Sequence, residues 1–146
     1  MIYTVTLNPS IDYVVRIDSL ALDAVNRIQE DFKLPGGKGI NVSRILKQLG
    51  VPSTAWGYAG GFTGTYIADW LKEEGINTAF SEITEPTRIN VKIKADHETE
   101  LNGAGPMITA EARLDLKEKF GMLTEDDVVV EYIHEDAKTE DGEEVP

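Results

Sequence analysis

The sequence contains no cysteine and only two histidines, His97 and His134, neither with a partner at a recognisable spacing. Disulfides and thiolate zinc sites are therefore excluded, and nothing indicates a metal site built from side chains. Long apolar runs are missing too: none approaches the roughly 20 residues that a membrane span needs. The opening Met1-Ile2-Tyr3-Thr4-Val5 lacks the basic start of a secretory signal. A cytoplasmic protein with no membrane partner is the expectation. Positive charge is scarce: 14 Lys and Arg stand against 26 Asp and Glu, a net charge of −12. Phosphate backbones select basic surfaces, so that balance argues against a nucleic-acid partner.

The acidity is unevenly spread. Segment 131–146 holds seven acids against the single base Lys138, so it carries −6 and residues 1–130 carry the other −6. This segment has few apolar residues and no periodicity. The expectation is one folded domain over 1–130, followed by an acidic tail over 131–146, most of it disordered.

Within 1–130 the apolar pattern changes period repeatedly. Residues 4–7 read as a short buried strand that stops at the turn Asn8-Pro9-Ser10. Ile11, Tyr13, Val15 and Ile17 alternate with Asp12, Arg16 and Asp18, which predicts a half-buried strand. A second extended stretch, 27–32, runs towards Pro35-Gly36-Gly37. From Asn41 the period becomes helical: Val42, Ile45, Leu46 and Leu49 form one stripe, with Gly50 where a terminating glycine belongs. Residues 52–57 read as a strand entering the glycine-rich run 57–64. The helix after it places Ile67, Trp70 and Leu71 on one face and closes at Gly75. Residues 78–83 read as one strand.

The stretch 88–95 alternates cleanly, with Ile89, Val91, Ile93 and Ala95 on one side and Arg88, Asn90, Lys92 and Lys94 on the other. Residues 98–101 pair back on it as a hairpin. Thr109 opens a helix with Ala112, Leu116, Phe120 and Leu123 in register. Val128-Val129-Val130 begins a wholly apolar strand of the kind found in parallel-sheet cores. Strands and helices alternating across glycine-rich turns predict an α/β fold with a mostly parallel sheet. The two amphipathic interruptions, about 11–33 and 87–101, are expected to pair into a small β-sheet lid.

Three places carry candidate chemistry. The first is Pro35-Gly36-Gly37-Lys38-Gly39-Ile40-Asn41, directly before a helix, where free N–H groups and the positive dipole end suit an anion or a polyol. It is not a P-loop, because Phe32 stands where the first glycine belongs and Gly39 follows the lysine. Nor is it a dinucleotide fingerprint, because Val42 replaces the third glycine. The second is the polar face Arg88, Asn90, Lys92 and Lys94, able to meet a phosphate through the arginine fork. Lys92 and Lys94 equally suit an edge strand guarded by lysines. The third is Asp12, a carboxylate placed to accept two sugar hydroxyls or simply a surface charge; Arg27 carries the same ambiguity as a phosphate ligand. Asn102-Gly103-Ala104-Gly105-Pro106 looks like an anion hole, but Pro106 stands where a carboxylate would be needed, so a turn back to the core is expected.

Taken in order, four stretches resemble the phosphofructokinase B (ribokinase-like) family of carbohydrate kinases. These are Thr6-Leu7-Asn8-Pro9-Ser10-Ile11-Asp12, Asn26-Arg27, Gly36-Gly37-Lys38-Gly39-Ile40-Asn41-Val42 and Thr87-Arg88-Ile89-Asn90. The wording is nearest its 1-phosphofructokinase and tagatose-6-phosphate kinase branches. The resemblance runs from Met1 to about Val130. It implies the N-terminal portion of a three-layer α/β core with a β-sheet lid, ATP with Mg²⁺ as phosphoryl donor, and fructose 1-phosphate or tagatose 6-phosphate as acceptor. It further implies that Asp12 binds sugar hydroxyls and that Gly37 and Asn41 hold the sugar. Lys38, Arg27 and Arg88 would neutralise the substrate phosphate, with Asn90 beside them. The family's general-base aspartate and most of its nucleotide pocket lie further downstream than this chain extends. The expectation is therefore an acceptor-side half-site, inactive alone as a kinase. A non-catalytic sugar-phosphate binder and a homodimer through the lid sheet are the alternatives.

Overall fold

The computed structural model describes residues 1–132 and 137–140. Its elements, in chain order, are β1 (Ile2–Thr6), β2 (Ser10–Arg16), β3 (Glu30–Gly36), α1 (Lys38–Gln48), β4 (Ser53–Gly60), α2 (Gly61–Glu73) and β5 (Asn77–Thr78). There follow β6 (Ser81–Ile83), β7 (Arg88–Lys94), β8 (Glu98–Leu101), β9 (Met107–Ile108), α3 (Ala110–Gly121), β10 (Val128–Glu131) and β11 (Lys138–Thr139).

Strand β1 is apolar or hydroxylated at every position, and it lies inside a parallel sheet of order β10-β1-β4-β5, with β6 also on β4. Successive side chains of a strand point to opposite faces. Val5 accordingly enters a core with Leu7, Trp56, Tyr58, Ile108 and Leu116, beneath α3. Tyr3 stacks on Trp56 at 4.2 Å between ring centroids, and Phe120 meets the same indole edge-on at 5.6 Å. The other core joins Ile11, Ile40, Ile67, Leu71 and Ile76 from the lid and from α1 and α2. Thr4 hydrogen-bonds Ser43 of α1 at 2.7 Å, so α1 packs on the sheet through a hydroxyl contact.

The two extended interruptions meet as a second sheet, of order β3-β2-β7-β8. Its β2–β7 pair is parallel and its β2–β3 and β7–β8 pairs are antiparallel.

Three local expectations need correction. Helix α1 starts at Lys38 rather than Asn41, and its buried residues are Gly39, Ile40 and Ser43. Ile45 and Leu49 of the expected stripe are 56% and 71% exposed. The reason is hydrogen bonding: Thr6 Oγ1 accepts from the Ile40 N–H at 3.0 Å and Ser53 donates to Ser43 at 3.0 Å, which fixes the rotation of the helix. The expected strand at 27–32 begins three residues later and continues through Pro35-Gly36, because β2 pairs with it as far as Gly36. The single strand at 78–83 is two, since β5 pairs with the start of β4 and β6 with its end. Within the acidic tail, Glu131 closes β10, and Lys138–Thr139 pair in parallel with Met107–Ile108. Thr139 is buried there, so this part of the tail is held by the fold. Residues 133–136 and 141–146 lie outside those described.

Candidate functional site

The lid sheet joins the parallel sheet where β1 leaves the core at Asn8-Pro9-Ser10 and where β3 runs into α1. Chain crossing at that corner demands small residues. Gly37 precedes α1 with φ 124°, a conformation that L side chains rarely adopt. Gly36 lies against Asp12: a Cβ there would sit 2.5 Å from Asp12 Oδ2. The first two glycines of the cluster thus have separate uses, Gly37 to turn the chain and Gly36 to admit a carboxylate.

Asp12 is only 8% exposed. Ser10 Oγ donates to its Oδ1 at 2.7 Å, and Lys92 Nζ stands 3.4 Å from its Oδ2. Pairing in register places Asn90 beside it on β7, with Leu34 opposite on β3. Asn90 is equally buried, and its Oδ1 accepts from the Gly103 N–H at 2.9 Å. Arg88 opens β7 half-buried, with Nη1 donating to the Gly103 carbonyl and Nη2 to the Asn8 carbonyl, each at 3.0 Å. Its Nε is buried, with no hydrogen-bond partner among the described residues.

Lys38 and Asn41 occupy the exposed first turn of α1, next to Gly37. No acidic residue lies in that turn and its N-cap, Gly37, brings no capping side chain; Thr6 Oγ1 takes the Ile40 N–H, and the positive helix end still suits an anion. The Lys38 ammonium lies 4.9 Å from the centroid of the Tyr132 ring.

The corner therefore brings together Asp12, Gly37, Lys38, Asn41, Arg88 and Asn90. Arg27 is the exception. It stands exposed in the connection between β2 and β3 and makes no hydrogen bond or ion pair among the described residues. Of the two lysines left open as edge guards, Lys92 turns to Asp12, whereas Lys94 reaches Glu98 at 3.8 Å.

A family comparison bears directly on this arrangement: the model for "pfkB family carbohydrate kinase" matches residues 5–134. The chain belongs to the pfkB family. Over 130 residues it is 55% identical to a 1-phosphofructokinase of Bacillus subtilis (strain 168), covering 89% of this chain and 43% of that protein. It is 41% identical over 123 residues to a D-tagatose-1-phosphate kinase of Bacillus licheniformis, covering 84% of this chain and 40% of the relative. Among solved structures, phosphofructokinase-2 from Escherichia coli in complex with fructose-6-phosphate superposes with a TM-score of 0.83 at 28% identity, over 89% of this chain and 44% of that one. The chain thus spans less than half the length of these pfkB relatives, and the part it spans carries their ribokinase-like α/β architecture. No helix among the described residues is long and apolar enough to cross a membrane.

One part of this pfkB corner escaped the sequence. Gly103, in the stretch expected to be only a turn, gives its N–H to Asn90 and its carbonyl to Arg88. Gly105, at φ 89°, lies against the Asn8 side chain, where a Cβ would fall 2.5 Å from Oδ1. The glycines were the available signal. The partners of Gly103 are 13 and 15 residues away in sequence, and only the hairpin return brings them together.

Proposed function

We propose that this chain holds the acceptor side of a sugar-phosphate kinase and binds a ketohexose 1-phosphate, fructose 1-phosphate before tagatose 1-phosphate. The observation that carries this is the buried Asp12 carboxylate, held by Ser10, in register with Asn90 and against Gly36 at the start of α1. A carboxylate has about four accepting sites, so beyond Ser10 and Lys92 it retains capacity for neighbouring hydroxyls, and the helix end with Lys38 and Arg88 suits a phosphate. In this assignment Asp12 takes the sugar hydroxyls, and Gly37 and Asn41 hold the sugar from the helix end. Lys38 and Arg88 neutralise the phosphate, with Asn90 beside them and Arg27, exposed on its loop, as a further candidate. The names of the two Bacillus relatives support a phosphate on C1.

The family implies ATP, with Mg²⁺, as the donor side. Among the described residues no three Asp, Glu, His or Cys side chains gather where they would hold a cation. Phosphoryl transfer needs charge stabilisation on both sides of the transferring group, and a missing general base alone costs about 10²–10⁴-fold. The chain by itself is therefore a binder without significant turnover.

Two measurements on the purified chain test this. A coupled ADP-release assay should give no significant rate, and turnover within an order of magnitude of a full-length relative overturns the half-site. Calorimetry should detect fructose 1-phosphate without ATP, with Asp12→Asn weakening it at least about tenfold for the lost charged acceptor. Equal affinity in the variant overturns the assignment of Asp12.

A further inference from the structure

The acidic tail does more than trail from the last sheet strand. Its first described piece sets the Tyr132 ring over Lys38. Its second, 137–140, is tied to the core at several points. Ala137 packs on the hydrophobic cluster beneath α3, Lys138 and Thr139 pair with β9, and the Glu140 N–H donates to the Ile108 carbonyl at 3.4 Å. Between this piece and the start of the lid strand β7 lies a cavity of about 520 Å³, lined by Arg88, Asn102, Gly103, Ala104, Ala137 and Lys138. Among the described residues its lining has two cationic side chains and no acidic one. Arg88 uses two N–H groups on backbone carbonyls, and the guanidinium carries five. Lys138 and Ala137 lie beyond residues 5–134, the part that the family shares.

We propose that Lys138 is a further cationic ligand for the acceptor's phosphate, brought with Arg88 to the lining of this cavity by the pairing of β11 with β9. The inference rests on the sugar-phosphate assignment of this corner and extends it. The wall that closes the phosphate pocket on one side comes from the tail of this chain. A phosphate monoester is the ligand class: small enough for the cavity, doubly charged, and matched by one fork-shaped and one point-like cation.

The experiment uses the full chain, Lys138→Gln and Lys138→Arg, titrated with fructose 1-phosphate by calorimetry and with inorganic phosphate by backbone amide NMR. The expected result is a loss of roughly fivefold in fructose 1-phosphate affinity for Lys138→Gln, most of it restored in Lys138→Arg. Inorganic phosphate should move the amide signals of Gly103 and Lys138 together. If fructose 1-phosphate binds and Lys138→Gln matches the parent within about twofold, the role of Lys138 is overturned while the acceptor-site assignment stands. If inorganic phosphate moves Gly103 and Lys138 but fructose 1-phosphate does not bind, the cavity stands and the sugar assignment falls. If neither ligand has any effect, both fall.

Discussion

Glycine separates two kinds of cost at this corner. A Cβ on Gly39 would lie 2.5 Å from the Val5 carbonyl oxygen and 2.6 Å from Thr6 Oγ1, and the first of these is backbone of a central strand. A Cβ on Gly36 would meet the Asp12 carboxyl instead, a side chain that can swing aside. Gly39→Ala should therefore lower stability by about 1–3 kcal/mol in urea unfolding. Gly36→Ala should lose less stability but at least about tenfold of sugar-phosphate affinity, if the buried carboxylate is displaced from its ligand. Equal effects of the two substitutions on stability and on binding would contradict the geometry.

Tyr58 is a second residue whose surroundings make a measurable difference. Its ring is buried, and its hydroxyl has no hydrogen-bond partner among the described residues. Burial pushes its pKa up to about 12, with Arg113 opposing and Glu131 and Asp115 adding. The folded state thus favours the neutral phenol. Its stabilising contribution is full below the ordinary value near pH 10 and is lost as pH rises from about 10 to 12. Tyr58→Phe should be close to neutral at pH 7. Urea unfolding of the two proteins should diverge only above about pH 10, with the parent losing more stability.

At the scale of elements, α3 is held on the sheet by polar contacts as well as by Ala112 and Leu116. Lys119 Nζ donates to Asp115 at 2.7 Å, to the Ala79 carbonyl at 2.9 Å and to Ser81 Oγ at 3.0 Å, and Ser81 Oγ donates to Asp115. The Lys119 hydrogen bond, followed by that from Ser81, holds the Asp115 carboxyl below the usual carboxylate range. A lowered carboxylate stabilises above its unfolded value near 4, and that contribution disappears as pH falls through the lowered value. The stability gap between the parent and Asp115→Asn should accordingly be present at pH 7 and shrink as pH falls below about 4. A gap that persists at low pH would place the contribution elsewhere. In α1 the balance is different. Its buried face is set by Thr6, Ser43 and Ser53 hydroxyls, and its apolar stripe is left half at the surface.

For the whole molecule, two surfaces bear on association. Strand β10 has β1 on one side, with Val128 54% exposed, and among the described residues no strand on the other. The lid sheet presents Ile89 and Leu101 at 45% and 57% exposure, on one face because Leu101 pairs with Val91. Unpaired strand edges and exposed apolar faces both invite other chains. A homodimer through the lid should appear in light scattering, and Ile89→Glu should reduce it to monomer. Val128→Lys should leave the dimer intact and suppress only larger species. The reverse pattern would locate the dimer at β10.

The α/β alternation and the pairing of the two amphipathic stretches into a sheet of their own were legible in the sequence, which also singled out Asp12, Gly37, Lys38, Asn41, Arg88 and Asn90 as candidates. Period and turn chemistry are local, and within each motif, 36–41 and 87–90, the residues stand within a few positions of one another. The sequence did not reveal which face of α1 is buried, the bracing of Arg88 and Asn90 by Gly103, or the docking of the tail beside β9. Each of these depends on partners brought together by tertiary contact: Thr4 and Ser53 for α1, the hairpin return for Gly103, and Met107–Ile108 for Lys138–Thr139. An acidic segment without periodicity signals only that it cannot build a core of its own. Whether it finds a strand edge and a cation to rest on is decided by the folded domain beside it.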